Sequence, residues 1–140
     1  MPIYAHPADA FFLESLREQS LWFGVPEPEV VRADFAFEAK QTVSVGNHQA
    51  QVLHLPGHSP GSVGFHFQAQ QLCLVGDVLF QGSVGRTDLP GCSNSDLAAS
   101  VRTLFEMAPE TVILPGHGDK STIGVEKRGN DVARELLARY

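Results

Sequence analysis

Cysteine, methionine and tryptophan are scarce in this chain, with two, two and one copies among 140 residues. Two cysteines are too few for a disulfide framework. Cys73 stands in the apolar run Leu72-Cys73-Leu74-Val75 and reads as a small buried hydrophobe, whereas Cys92 lies in a Gly/Ser/Asn loop and reads as exposed. Nothing pairs them, so a reducing, cytoplasmic setting is expected. No stretch approaches the ~18 apolar residues that a membrane span needs. The opening Met1-Pro2-Ile3-Tyr4 carries no cationic segment leading into a long apolar one, so no secretory signal is expected. Positive charge is also short. Ten Lys and Arg against sixteen Asp and Glu give a net charge of -6, which leaves no basic patch for nucleic acid or an anionic membrane.

What is present is an ordinary globular composition. Hydrophobic residues at 43% and charged residues at 19% rule out both a disordered chain and a coiled coil. The length suits one domain over residues 1–140. Ile3 to Ala5 reads as a short strand, followed by a helix with Pro7 in its first turn and Gly24 as its stop. Alternating Val31, Ala33, Phe35 and Phe37 predict a strand. Val43 and Val45, then Gly46-Asn47, then Gln51 to Leu53 predict a hairpin. Further strands are expected at 62–67, 72–75 and 111–114. A helix is expected over about 95–107, with Ser93 or Ser95 as its N-cap and Leu97, Val101, Leu104 and Phe105 as its buried stripe. A last helix is expected over about 131–140. Residues 81–93 read as a long loop.

Three of these strands end alike. Each runs into a glycine and then a side chain that can bind metal: Gly57-His58, Gly76-Asp77 and Gly116-His117. Strand ends hold side chains rigidly at a common rim, and a glycine lets the backbone turn and an ion approach. Two imidazoles and a carboxylate form a borderline N/O donor set that suits zinc, and also iron or manganese. One Pro-Gly-His alone would more often be an exposed turn. Two such copies and a strand-terminal Gly-Asp make a pattern.

Taken together, His54-Leu55-Pro56-Gly57-His58-Ser59-Pro60-Gly61-Ser62, Gly76-Asp77-Val78-Leu79-Phe80, Gly85-Arg86-Thr87-Asp88-Leu89 and Pro115-Gly116-His117-Gly118 resemble the later motifs of the metallo-β-lactamase superfamily. The Gly-Arg-Thr-Asp element resembles the glyoxalase II-like hydrolases and the related persulfide dioxygenases. The resemblance implies an α+β fold, the αβ/βα metallo-β-lactamase sandwich in its C-terminal portion. It implies that His58 binds a first metal, Asp77 bridges two metals and His117 binds the second. The cofactor would be zinc, as one or two ions, with iron or manganese as alternatives. The only catalytic group beyond the ligands would be a metal-bound water, which as hydroxide attacks a thioester such as S-lactoylglutathione.

One motif of that family is missing. Its two histidines one residue apart, followed by an Asp-His pair, have no counterpart, because His6, His48, His54, His58, His66 and His117 are nowhere separated by one residue. The domain is therefore expected to be N-terminally incomplete, with fewer protein ligands per ion than the three of a catalytic zinc. Impaired turnover follows, and an uncovered sheet is expected to favour self-association. Two alternatives stand beside the hydrolase: an iron-dependent persulfide dioxygenase-like enzyme, and an inactive remnant serving as an interaction module. The expected partner is a small-molecule thioester, with neither nucleic acid nor membrane.

The remaining candidates carry less. Arg86 and Asp88 form either a buried pair fixing the loop beneath the metals or a surface ion pair of little consequence. His54 reads as structural, and His66 as facing solvent, opposite Phe65 and Phe67. His6 and His48 read as turn or loop residues, and Lys120 and Lys127 as solvated surface.

Overall fold

The computed structural model describes residues 2–29 and 31–140; Met1, in the opening read above for a leader, lies outside them. The chain falls into two compact units that divide after Phe37.

In the first unit, strands β1 (Tyr4–Ala5) and β2 (Phe35–Ala36) pair in parallel. Tyr4 stacks on Phe35 and Phe37 at ring distances of 5.0 and 5.4 Å. The strand expected over 31–37 thus shortens to two residues, because β1 offers only two partners. The helix expected between Pro7 and Gly24 is broken. A 3-10 turn at Pro7–Asp9 leads into α1 (Ala10–Glu14), and α2 (Leu16–Phe23) follows after Ser15. The Ser15 hydroxyl donates back to the Phe11 carbonyl at 2.7 Å while its backbone leaves the helical region, and such back-bonding competes with the helix. Gly24 ends α2 in the left-handed conformation, as its position predicts.

The second unit is built on a six-stranded sheet of order β10-β9-β6-β5-β4-β3. Its strands are β3 (Thr42–Val45), β4 (His48–His54), β5 (Val63–Phe67), β6 (Leu72–Gly76), β9 (Val112–Pro115) and β10 (Ser121–Thr122). All neighbours are antiparallel except β6 and β9, which α3 (Asn94–Phe105) joins as a crossover. Ser93 caps α3 by accepting from the Asp96 N–H at 3.2 Å.

Period-2 alternation sends Cys73, Val75 and Ile113 to one sheet face. There they meet the α3 stripe of Leu97, Ala98, Val101, Leu104 and Phe105, together with Ala133 and Leu136 of α5 (Asp131–Arg139). Each Leu, Ile or Val buried in this cluster contributes about 1.5–3 kcal/mol. Two elements go beyond the sequence reading. The loop expected over 81–93 opens with a small hairpin, β7 (Leu79–Phe80) and β8 (Ser83–Val84), and α4 (Ile123–Gly129) precedes the last helix.

The sheet topology sets up the site. β4 and β6 each run antiparallel to β5, and β6 runs parallel to β9. All three therefore point the same way, and their C-terminal ends share one edge. Among the described residues no helix is long and apolar enough to cross a membrane.

Candidate metal centre

His58, Asp77 and His117 follow β4, β6 and β9 respectively, so the shared edge gathers them. Asp77 sits between the two imidazoles. Its Oδ2 lies 3.7 Å from His58 Nε2 and its Oδ1 lies 3.8 Å from His117 Nε2. These separations are too long for hydrogen bonds. They are a few tenths of an ångström beyond the ~3.4 Å expected between two tetrahedral ligands bonded at ~2.0–2.1 Å to one zinc. Each carboxylate oxygen thus faces its own imidazole, a geometry for two ion positions sharing a carboxylate. Among the described residues no group of three His, Cys, Asp or Glu side chains could hold an ion by itself. The donor chemistry fits zinc or iron, but each half of the centre holds only two of the protein ligands an ion needs.

The surroundings fix these side chains. Gly57 has φ +139, and a methyl group there would strike the Leu97 backbone, so α3 packs directly beneath the His58 turn. Ser100 Oγ donates to the Pro56 carbonyl at 2.7 Å, and the Ser93 N–H donates to the Gly57 carbonyl at 2.8 Å. His58 Nδ1 lies 3.1 Å from the Arg86 carbonyl oxygen. A carbonyl can only accept, so Nδ1 is the donor, and in the neutral ring Nε2 is the nitrogen with a lone pair to offer an ion. Glycines crowd the carboxylate: a methyl at Gly116 would meet Asp77 Oδ1, and one at Gly85 the Asp77 carbonyl oxygen. His117 is the exposed member, with 73% of its side chain accessible, and its ring stacks on Phe80 at 4.6 Å. A cleft of about 490 Å³ opens here, lined by the three side chains with Phe80, Val84 and Arg86 among others.

Arg86 and Asp88 are joined by two parallel hydrogen bonds of 2.7 Å, with both side chains exposed. The Arg86 guanidinium, by hydrogen bond and charge, lowers the Asp88 carboxyl to about 2, and Asp88 in turn raises Arg86. What touches His58 is the Arg86 backbone, a contact to which side-chain motifs are blind. The other histidines have local partners. His54 Nε2 bonds the Pro60 carbonyl at 2.8 Å, His6 Nδ1 accepts from the Ala8 N–H, and His48 meets Gln70. His66, expected to face solvent, is half-buried. It stands opposite Cys73 on the helix side of the sheet, in a groove with Thr103 and Met107, and burial lowers its pKa. Cys73 is fully buried, which raises its thiol to about 12. Cys92 is half-buried, not exposed, and its Sγ donates to the His58 carbonyl at 2.9 Å. Lys127 is exposed, as expected of a surface lysine, and its ammonium donates to the Phe105 carbonyl at 2.8 Å.

Comparison with known proteins bears on the same region. A family model described as the metallo-beta-lactamase superfamily matches residues 1–117. The hydroxyacylglutathione hydrolase GloC of Haemophilus influenzae is 40% identical over 124 residues, covering 87% of this chain and 58% of that protein. The crystal structure of TTHA1623 in a di-iron-bound form is 39% identical with a TM-score of 0.83, covering 93% of this chain and 64% of the other. ETHE1 from Myxococcus xanthus is 33% identical with a TM-score of 0.68, covering 76% and 51%. The chain thus spans about three-fifths of the length of the first two.

Proposed function

The chain belongs to the metallo-beta-lactamase superfamily, and on that premise we propose that it is a metal-dependent thioester hydrolase of the glyoxalase II type. The observation that carries the reading is the Asp77 carboxylate with one imidazole facing each oxygen. His58 and Asp77 would hold one ion, and Asp77 and His117 the other. Bound ions would supply Lewis acidity and a water whose pKa falls from about 15.7 to about 7.

The chain's own residues orient and shield. The Arg86 carbonyl keeps the His58 lone pair pointed at Asp77. Phe80 and Val84 give one side of the cleft an apolar wall, which excludes water from one side of a bound acyl group. The likeness to GloC supports S-lactoylglutathione as the first substrate to test.

The test is zinc or ferrous-iron binding by calorimetry, coupled to S-lactoylglutathione hydrolysis. Binding is expected in the wild-type chain and its loss in D77N, with slow turnover, because each ion has two protein ligands instead of three. Wild-type affinity no better than that of D77N sinks the reading and leaves the inactive interaction module. A second reading, an iron-dependent persulfide dioxygenase-like enzyme, draws on the Gly85-Arg86-Thr87-Asp88 motif. Oxygen uptake with a persulfide and one bound iron would select it.

A further inference from the structure

Glu126 of α4 is a buried carboxylate, 2% exposed, that the proposed chemistry does not use. Three donors converge on it. Ser121 Oγ donates to its Oε1, while the Gly82 N–H at 2.8 Å and Asn130 Nδ2 at 2.9 Å donate to its Oε2. Asn130 Nδ2 also lies 3.3 Å from the Phe80 carbonyl and 2.9 Å from the Ser83 carbonyl, while its Oδ1 accepts from the Ala133 N–H of α5.

Two of these partners, Gly82 and Ser121, belong to segments that form different walls of the cleft. Gly82 forms the turn of the β7–β8 hairpin that carries Phe80 and Ser83. Ser121 begins β10, where the segment carrying His117 and Asp119 returns to the sheet. The two walls also meet where the Phe80 ring stacks on the His117 imidazole at 4.6 Å and 28°. A buried carboxylate for which the described residues show no ion pair is tolerated only when its lone pairs are filled by donors. The sequence supplies one from each wall, Gly82 and Ser121, and a third from Asn130 between α4 and α5.

We infer that Glu126 is a positioning residue that ties the Phe80 hairpin to the His117 segment and so fixes the His117 imidazole against Asp77. The inference rests on the proposed metal centre for its purpose, but its geometry is testable without metal. Glu126→Gln removes the charge from all three bonds and turns one acceptor oxygen into an amide donor, which meets the Gly82 N–H donor to donor at the Oε2 position or makes the Ser121 hydroxyl accept instead of donate at the Oε1 position. Ser121→Ala releases only the His117 segment and keeps the carboxylate, so it serves if E126Q fails to fold.

The experiment records the histidine ring proton resonances of the metal-free chain by NMR. His117, lying over Phe80, is expected to show an upfield ring-current shift in the wild type that Phe80→Leu abolishes. E126Q and S121A are expected to lose most of that shift while His58, anchored through Arg86, keeps its resonances. Zinc affinity is then expected to fall about 10-fold or more in both, in the range typical of residues supporting metal ligands. Unchanged His117 resonances in both variants, alongside a shift that F80L removes, would overturn the inference. Equal displacement of the His58 and His117 resonances would do so too, since it would mean general loosening of the fold. A wild-type chain that binds no zinc defeats the proposed function but leaves the ring-current comparison able to decide the role of Glu126.

Discussion

The centre leans on single atoms, and the consequences of removing them differ. Gly116 is exposed in a loop, yet a methyl group there would meet Asp77 Oδ1. Gly116→Ala is therefore expected to lower zinc affinity at least about 10-fold while leaving the melting temperature close to wild type, as calorimetry and thermal unfolding would show. Gly57→Ala should act the other way. Its φ of +139 and the Leu97 backbone beneath it leave no room for a side chain. A loss of about 1–3 kcal/mol or more is expected in urea unfolding. The cysteines should separate by reactivity: Cys92 reacting with an aromatic disulfide reagent in the native chain, Cys73 only after unfolding, because burial raises its thiol to about 12.

The Arg86–Asp88 pair gives a pH signature. Asp88 titrates at about 2 in the folded chain against an ordinary 3.8. The unfolded carboxylate takes its proton first, so the pair's contribution is present above about pH 4 and is lost as pH falls through about 2. The contribution is small because both side chains are exposed. The stability gap between wild type and Asp88→Asn, measurable by urea unfolding at pH 6, is expected to close toward pH 2.

Among the elements, α3 joins core to site. Its buried stripe covers the sheet, and its first turns touch the His58 turn through Ser93, Leu97 and Ser100. Its 3.6-residue spacing and a serine cap at Ser93 or Ser95 were legible in the sequence because both are local, and the structure decides for Ser93. Ser93→Ala is expected to cost about 1 kcal/mol. The hairpin β7–β8 and helix α4 were not legible for the complementary reason. β7 and β8 are two residues each, too short for a period to register. α4 has only Ile123, Gly124 and Glu126 buried, so a carboxylate fills a core position and hides the apolar pattern. His66 was misjudged similarly. Alternation separates it correctly from Phe65 and Phe67, but which face meets α3 is not written in the strand itself.

At the scale of the molecule, the sheet, the core cluster and every candidate ligand fall within residues 38–140. A chain beginning at Glu38 is expected to retain a cooperative unfolding transition by circular dichroism; gradual, non-cooperative melting would count against a self-sufficient core. The sequence by itself determined the family, the strands that carry the centre and the three side chains at their ends, because glycine-flanked ligands after apolar runs are local patterns of fixed chemistry. Tertiary structure alone decided that β4, β6 and β9 point the same way. It alone set one Asp77 oxygen before each imidazole, brought the Arg86 backbone to His58, and buried Glu126 between the two walls of the cleft. Those relations depend on strand order and on backbone atoms that every residue shares, so no residue type announces them.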